Sequence, residues 1–309
     1  MKSRLLFALM LAACAPSFGA DAAPVANRYA STLVAAERFE VGSMLVERHG
    51  SKGSPMIMIP GLVSGAWAWQ DAARRFMGEH VVYVVTLAGF DGRPALPGKV
   101  MEMAQQSLGQ LITSRKLVKP VLVGHSLGGI LSIAYAEQHS ELIGGVVALE
   151  GLPVFPGTEQ MPVAQRPQMA EGMKARMAGV TAEGFALQQQ QYMRGAGVTD
   201  IARADELAKL TARSDPGAMV QYMGDALALD LRADLPKIGV PVLMLAPYFD
   251  VDASQRKLTE AMTSDYYTAL MAGTSNLKVV IISPARHFAM FDQPQKVNEA
   301  IGEFMRGLQ

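Results

Sequence analysis

Gly124-His125-Ser126-Leu127-Gly128 follows a short apolar run, Val121-Leu122-Val123, and precedes apolar residues at helical spacing: Leu127, Ile130, Leu131, Ile133 and Ala134. A chain that turns from strand into helix across five residues has few backbone solutions. Glycines two residues either side of Ser126 are needed because a Cβ there would collide with the neighbouring strand or helix. The serine between them is held in a strained conformation with its hydroxyl pointing out of the sheet. G-x-S-x-G in this setting is a nucleophile elbow.

Other apolar runs extend the pattern. Residues 38–41 and 44–48 read as a hairpin across Gly42-Ser43, and buried-strand signals follow at 56–59, 80–86, 121–123, 145–149, 242–246 and 278–282. Helical patterns lie between most of them, as at 67–77 and 101–115. Strands apolar throughout and separated by helices predict an α/β fold, a mostly parallel sheet covered on both faces. Its functional loops should lie at the carboxyl ends of the strands.

The alternation stops after Gly151. From Leu152 to Pro236 helix-like segments are broken by Pro153, Pro156, Pro162, Pro167 and Pro216, and the strand pattern resumes after Pro241. The expected organisation is a core over 23–151 and 237–309 with a helical cap at 152–236. Methionines at 161, 169, 173, 177, 193, 219 and 223 fall in that segment. Most read as adaptable core filling, and a minority as the lining of a pliable apolar pocket suited to an acyl chain.

Lys2 and Arg4 precede a nine-residue apolar run, Leu5 to Ala13, too short to span a bilayer, which takes about 20 residues. A secretory signal is expected, and with it a periplasmic, extracellular or lipid-anchored protein. Two exits compete: cleavage after Ala22, giving a signal over 1–22, or a lipobox, Leu11-Ala12-Ala13-Cys14, giving a signal over 1–13 and a lipidated Cys14. Cys14 is the only cysteine in the chain, so no intramolecular disulfide is available. The 28 basic and 28 acidic residues balance, with no dense basic run, which argues against nucleic acid as a partner. H-E-x-x-H, a phosphate loop and G-x-G-x-x-G are all missing, so neither metal nor organic cofactor is expected.

A serine hydroxyl is a poor nucleophile near neutral pH and needs a base, which in turn needs a group to orient it. Of the five histidines, His287 follows the last strand at its carboxyl end and is assigned as base. The orienting carboxylate is expected from the preceding strand, where Asp250 lies a few residues past 242–246. Asp252 and Glu150, the latter ending the strand after the elbow, compete with it. Asp292 reads as a cap for the final helix ahead of Pro294. An oxyanion requires two N–H donors, assigned to the backbones of Leu127 and of Leu62 in the loop after the third strand. Of Trp67 and Trp69, one is expected in the core and the other on the wall of the substrate pocket.

With Met58-Ile59-Pro60-Gly61, Leu87-Ala88-Gly89-Phe90, the elbow and His287-Phe288 in order, the chain resembles the α/β-hydrolase superfamily over nearly its whole mature length. It looks closest to the small capped esterases and lipase-like hydrolases of bacteria. The resemblance implies an eight-stranded, mostly parallel sheet with a lid between strands six and seven, and the order Ser126, Asp250, His287 is that of the superfamily. Two departures stand out: Pro60-Gly61 replaces the common His-Gly, and Pro247-Tyr248-Phe249-Asp250 replaces the frequent Gly-x-x-Asp. Serine at the elbow excludes the aspartate-nucleophile branches as templates.

The expected chemistry is carboxylic ester hydrolysis through an acyl-enzyme, with a small-molecule ester or lactone as substrate. Lactone opening, thioester or amide cleavage and acyl transfer would use the same triad. A cofactor-free haloperoxidase or perhydrolase, and a non-catalytic binding protein on the same scaffold, are the other readings.

Overall fold

The computed structural model describes residues 27–177 and 179–308. The leader expectations, cleavage after Ala22 and lipidation of Cys14, lie outside the described residues. Among the described residues no helix is long and apolar enough to cross a membrane.

Eight strands form one sheet: β1 (Glu37–Val41), β2 (Met44–His49), β3 (Pro55–Ile59), β4 (Val81–Leu87), β5 (Val121–His125), β6 (Gly145–Leu149), β7 (Val242–Pro247) and β8 (Leu277–Ile282). Their order is β1-β2-β4-β3-β5-β6-β7-β8. Only β2 runs against its neighbours, and pairing from β4 to β8 is parallel. The helices are α1 (Gln70–Phe76), α2 (Val100–Ser114), α3 (Leu127–His139), α4 (Arg166–Met177), α5 (Ala182–Tyr192), α6 (Ile201–Thr211), α7 (Pro216–Ala228), α8 (Asp250–Gln255), α9 (Glu260–Leu270), α10 (Ala289–Asp292) and α11 (Pro294–Gly307).

The central strands are apolar at successive positions because both faces are covered, and alternation sorts their side chains between two cores. Ile57, Ile59, Leu122, Val146, Ala148 and Met244 pack with residues of α2 and α3. Met56, Met58, Val123, Val147, Leu149 and Leu243 pack with α1 and α11.

Between β6 and β7 the chain carries α4 to α7 and, among the described residues, no strand of the sheet, only an isolated bridge between Val154 and Asp230. The buried guanidinium of Arg166 fastens the base of this insertion, donating to the carbonyls of Leu229, Thr158 and Met161 and to the Asp230 carboxylate. With a carboxylate and three carbonyls around it, that buried charge is compensated.

The helical segment expected at 67–77 is present, as a 3₁₀ turn over Ala66–Trp69 that runs into α1. One local expectation fails: Asp292 does not cap the final helix, whose N-cap is Gln293. Its buried carboxylate instead accepts from the Thr199 N–H and hydroxyl, the Arg286 N–H and the Arg203 guanidinium. A carboxylate with that many donors in reach does more as a buried staple than at a helix end, where it would satisfy one or two N–H groups.

Candidate active site

Ser126 sits between β5 and α3 with φ 51° and ψ −116°, in a region that side chains with a Cβ rarely adopt. The bond from its N–H to the Leu149 carbonyl (2.9 Å) and the bond its own carbonyl accepts from the Ile130 N–H (3.0 Å) hold that conformation. A Cβ at Gly128 would strike the Ile59 and Pro60 carbonyls, and one at Gly124 the backbone of Gly128. Leu127 is the first residue of α3, so its N–H has no carbonyl partner within the helix and lies next to the serine.

The loop after β3 is strained as well. Val63 has φ 53°, and a β-branched residue takes a positive φ only when its surroundings impose it. The Ser214 hydroxyl, in the turn between α6 and α7, donates to the Val63 carbonyl at 3.1 Å and accepts from the Asp91 N–H. The insertion thus grips the loop that carries Leu62.

His287 Nδ1 lies 2.6 Å from Glu150 Oε2. The structure departs here from the expectation for Asp250, which begins α8 and accepts a hydrogen bond from the Tyr248 hydroxyl at 3.2 Å. Asp252, the other competitor, forms a two-pronged pair with Arg286 at 2.7 and 2.8 Å. The reason lies in the backbone. Glu150 has φ 47°, which turns the chain sharply at the carboxyl end of β6, and Gly151 then packs against Gly129 of α3. A Cβ on either glycine would overlap the other's Cα, so the pair lets the Glu150 loop lie directly on the elbow helix. Glu150-Gly151 immediately after a buried strand was the available signal.

The His287 loop is fixed from three sides. The His287 and Phe288 N–H groups donate to the Ala196 and Gly197 carbonyls of a π-helical turn that ends α5 (3.2 and 2.8 Å). The Ala285 N–H donates to Tyr248. His125, buried beside the serine, donates from Nε2 to the His287 carbonyl at 2.9 Å. Burial, reinforced by the neighbouring His287, holds the His125 pKa well below the usual histidine range, so this ring stays neutral with its proton on Nε2.

Ser126, Glu150 and His287 open onto one cavity of about 640 Å³, together with Leu62 and Val63. The insertion supplies Gln189, Tyr192, Met219 and Met223 to its wall. Neither tryptophan reaches it. Trp67 stacks near Phe288 with ring centroids 6.5 Å apart, and Trp69 donates from its indole nitrogen to the Ile59 carbonyl, so both serve the core. Among the described residues no cluster of three or more His, Cys, Asp or Glu side chains could hold a metal ion.

An eight-stranded sheet crossed from strand to helix by a strained serine defines the α/β-hydrolase class. The model of the "Alpha/beta hydrolase family" matches residues 56–300, and the chain belongs to that family. It is similar to the pimeloyl-[acyl-carrier protein] methyl ester esterase of Aeromonas salmonicida (strain A449), 22% identical over 272 residues, covering 85% of this chain and 99% of the relative. It is also similar to the 2-succinyl-6-hydroxy-2,4-cyclohexadiene-1-carboxylate synthase of Shigella sonnei (strain Ss046), 27% identical over 230 residues, covering 73% and 89%. Among solved structures, the enol-lactonase from Burkholderia xenovorans LB400 superposes with a TM-score of 0.68 at 16% identity, covering 87% of this chain and all of that one, a likeness of fold.

Proposed function

We propose that the protein is a serine hydrolase of carboxylic esters, with Ser126 as nucleophile, His287 as general base and Glu150 as the carboxylate that orients the base. The hydrogen bond from His287 to Glu150, made at the edge of the cavity that Ser126 opens onto, carries this reading. With Nδ1–H held by Glu150, the His287 lone pair is on Nε2, the atom that must take the serine proton. Attack on the ester carbonyl forms a tetrahedral intermediate, whose oxyanion the N–H groups of Leu62 and Leu127 receive. His287 then passes the proton to the departing alcohol, and water, activated by the same base, releases the acid from Ser126.

The insertion between β6 and β7 acts as the cap over this site. The charged and apolar leader supports export, with release after Ala22 or anchoring through Cys14 as the two routes. The similarity to an esterase supports ester cleavage over the other reactions a triad can run.

A fluorophosphonate probe tests the assignment. The folded protein is expected to label at a single serine, and Ser126→Ala to abolish labelling. Labelling that survives the substitution, or none in folded wild-type protein, contradicts it.

A further inference from the structure

We propose that the cavity selects an uncharged ester with an apolar acyl chain, and that Gln189 is the specificity-determining residue that binds a neutral hydrogen-bond acceptor on that chain; this rests on the serine-hydrolase reading of the same site. Two features of the wall carry it.

The first is electrostatic. Ile130, Leu152, Phe155, Met219, Met223 and Phe288 make most of the wall apolar. Glu150 contributes a carboxylate, and among the described lining residues there is no lysine or arginine. An acyl chain ending in a second carboxylate would bring an unpaired negative charge into an apolar space that already holds one. At an effective dielectric near 20, one such like-charge approach at 6 Å disfavours binding by about 100-fold.

The second is a buried donor. Gln189 is 5% exposed, yet the only protein partner of its amide nitrogen among the described residues is the Met219 sulfur, 4.0 Å away. A thioether is a weak acceptor, so a carboxamide that lines the cavity on α5 retains donor capacity. A ketone, hydroxyl or amide oxygen on the substrate can use it, and a site built to donate to such a group discriminates against analogues lacking it.

The test compares three p-nitrophenyl esters of equal chain length: hexanoate, 5-oxohexanoate and the hemiester of adipate. Wild-type kcat/KM is expected to fall about 100-fold from hexanoate to the adipate hemiester. The 5-oxohexanoate should be the best of the three. Gln189→Leu should lower the ratio of 5-oxohexanoate to hexanoate by about 10-fold, the worth of one hydrogen bond. Gln189→Met, closer in shape, is measured for the same ratio in case the first variant folds poorly. A preference for the adipate hemiester, or a ratio unchanged in both variants, overturns the proposal. If Ser126 labels with fluorophosphonate in that case, the failure belongs to the selectivity alone. If Ser126 fails to label and no ester turns over, the hydrolase reading falls and this proposal with it.

Discussion

His125 Nε2 donates to the backbone carbonyl of His287 at 2.9 Å, so the residue next to Ser126 holds the loop that carries His287. The two rings lie 4.7 Å apart, and Phe288 packs on His125 at the same distance. The elbow therefore fixes both partners of the proposed proton transfer. His125→Phe keeps the packing and removes the donor, leaving a buried carbonyl unpaired at a cost of about 1–3 kcal/mol. Thermal denaturation should show that loss, and kcat should fall while KM changes little. An unchanged kcat would show that the His287 loop is held without this bond.

The second prediction concerns the contact that brings Glu150 to the histidine. Gly151→Ala places a methyl group on the Gly129 backbone. The overlap should cost about 1–3 kcal/mol of stability. A displacement of the carboxylate by 1 Å is enough for a loss of about 100-fold in kcat. Full activity in Gly151→Ala would show that the close approach of α3 and the Glu150 loop is dispensable.

The grip of the insertion on the loop that carries Leu62 gives a third. Ser214→Ala removes the hydroxyl that holds the Val63 carbonyl. With Val63 at a positive φ, the freed loop should relax and carry the Leu62 N–H away from the oxyanion position. A fall in kcat of about 10-fold with little change in KM is expected, measured with any neutral ester. A raised KM with kcat unchanged would point to ground-state binding instead.

Stability should also depend on pH through Glu137, far from the chemistry. This α3 side chain is 9% exposed, with one carboxyl oxygen unpaired among the described residues. Burial first, and then the charge of Asp234, raise its pKa to about 8, with Lys237 opposing. Because the folded value lies above the ordinary one of 4.5, the folded state holds the proton more tightly. The stabilising contribution is complete below about pH 4.5 and is lost as pH rises through about 8. Wild-type protein should therefore lose a few kcal/mol relative to Glu137→Gln between pH 5 and 8.5. A difference in Tm between the two that does not change with pH contradicts this.

The sheet was legible in the sequence because doubly covered strands read as unbroken apolar runs, and every strand appeared near its predicted place. The elbow was legible because five residues must satisfy both a strand and a helix. Placing the carboxylate was beyond such local reasoning. Asp250 and Glu150 both follow central strands, and spacing alone makes them equivalent. What separates them is a positive φ at Glu150 and a contact between Gly129 of α3 and Gly151, the residue after Glu150, a relation between segments 22 residues apart. Asp292 was misread for a related reason: its partners, Thr199, Arg203 and Arg286, come from the insertion and from the histidine loop. Trp67 and Trp69 sit on the face of the sheet covered by α1 and α11, which the pattern of one segment does not reveal.

The most direct measurement of the central claim sets Glu150→Gln beside Asp250→Asn and reads kcat/KM for a neutral ester in both. With Glu150 orienting His287, the first substitution should lower turnover by up to about 10⁴-fold, as loss of the orienting acid does in serine proteases. The second should change it by less than about 2-fold, as expected of a surface group away from the reacting atoms. The reverse ranking would contradict the account.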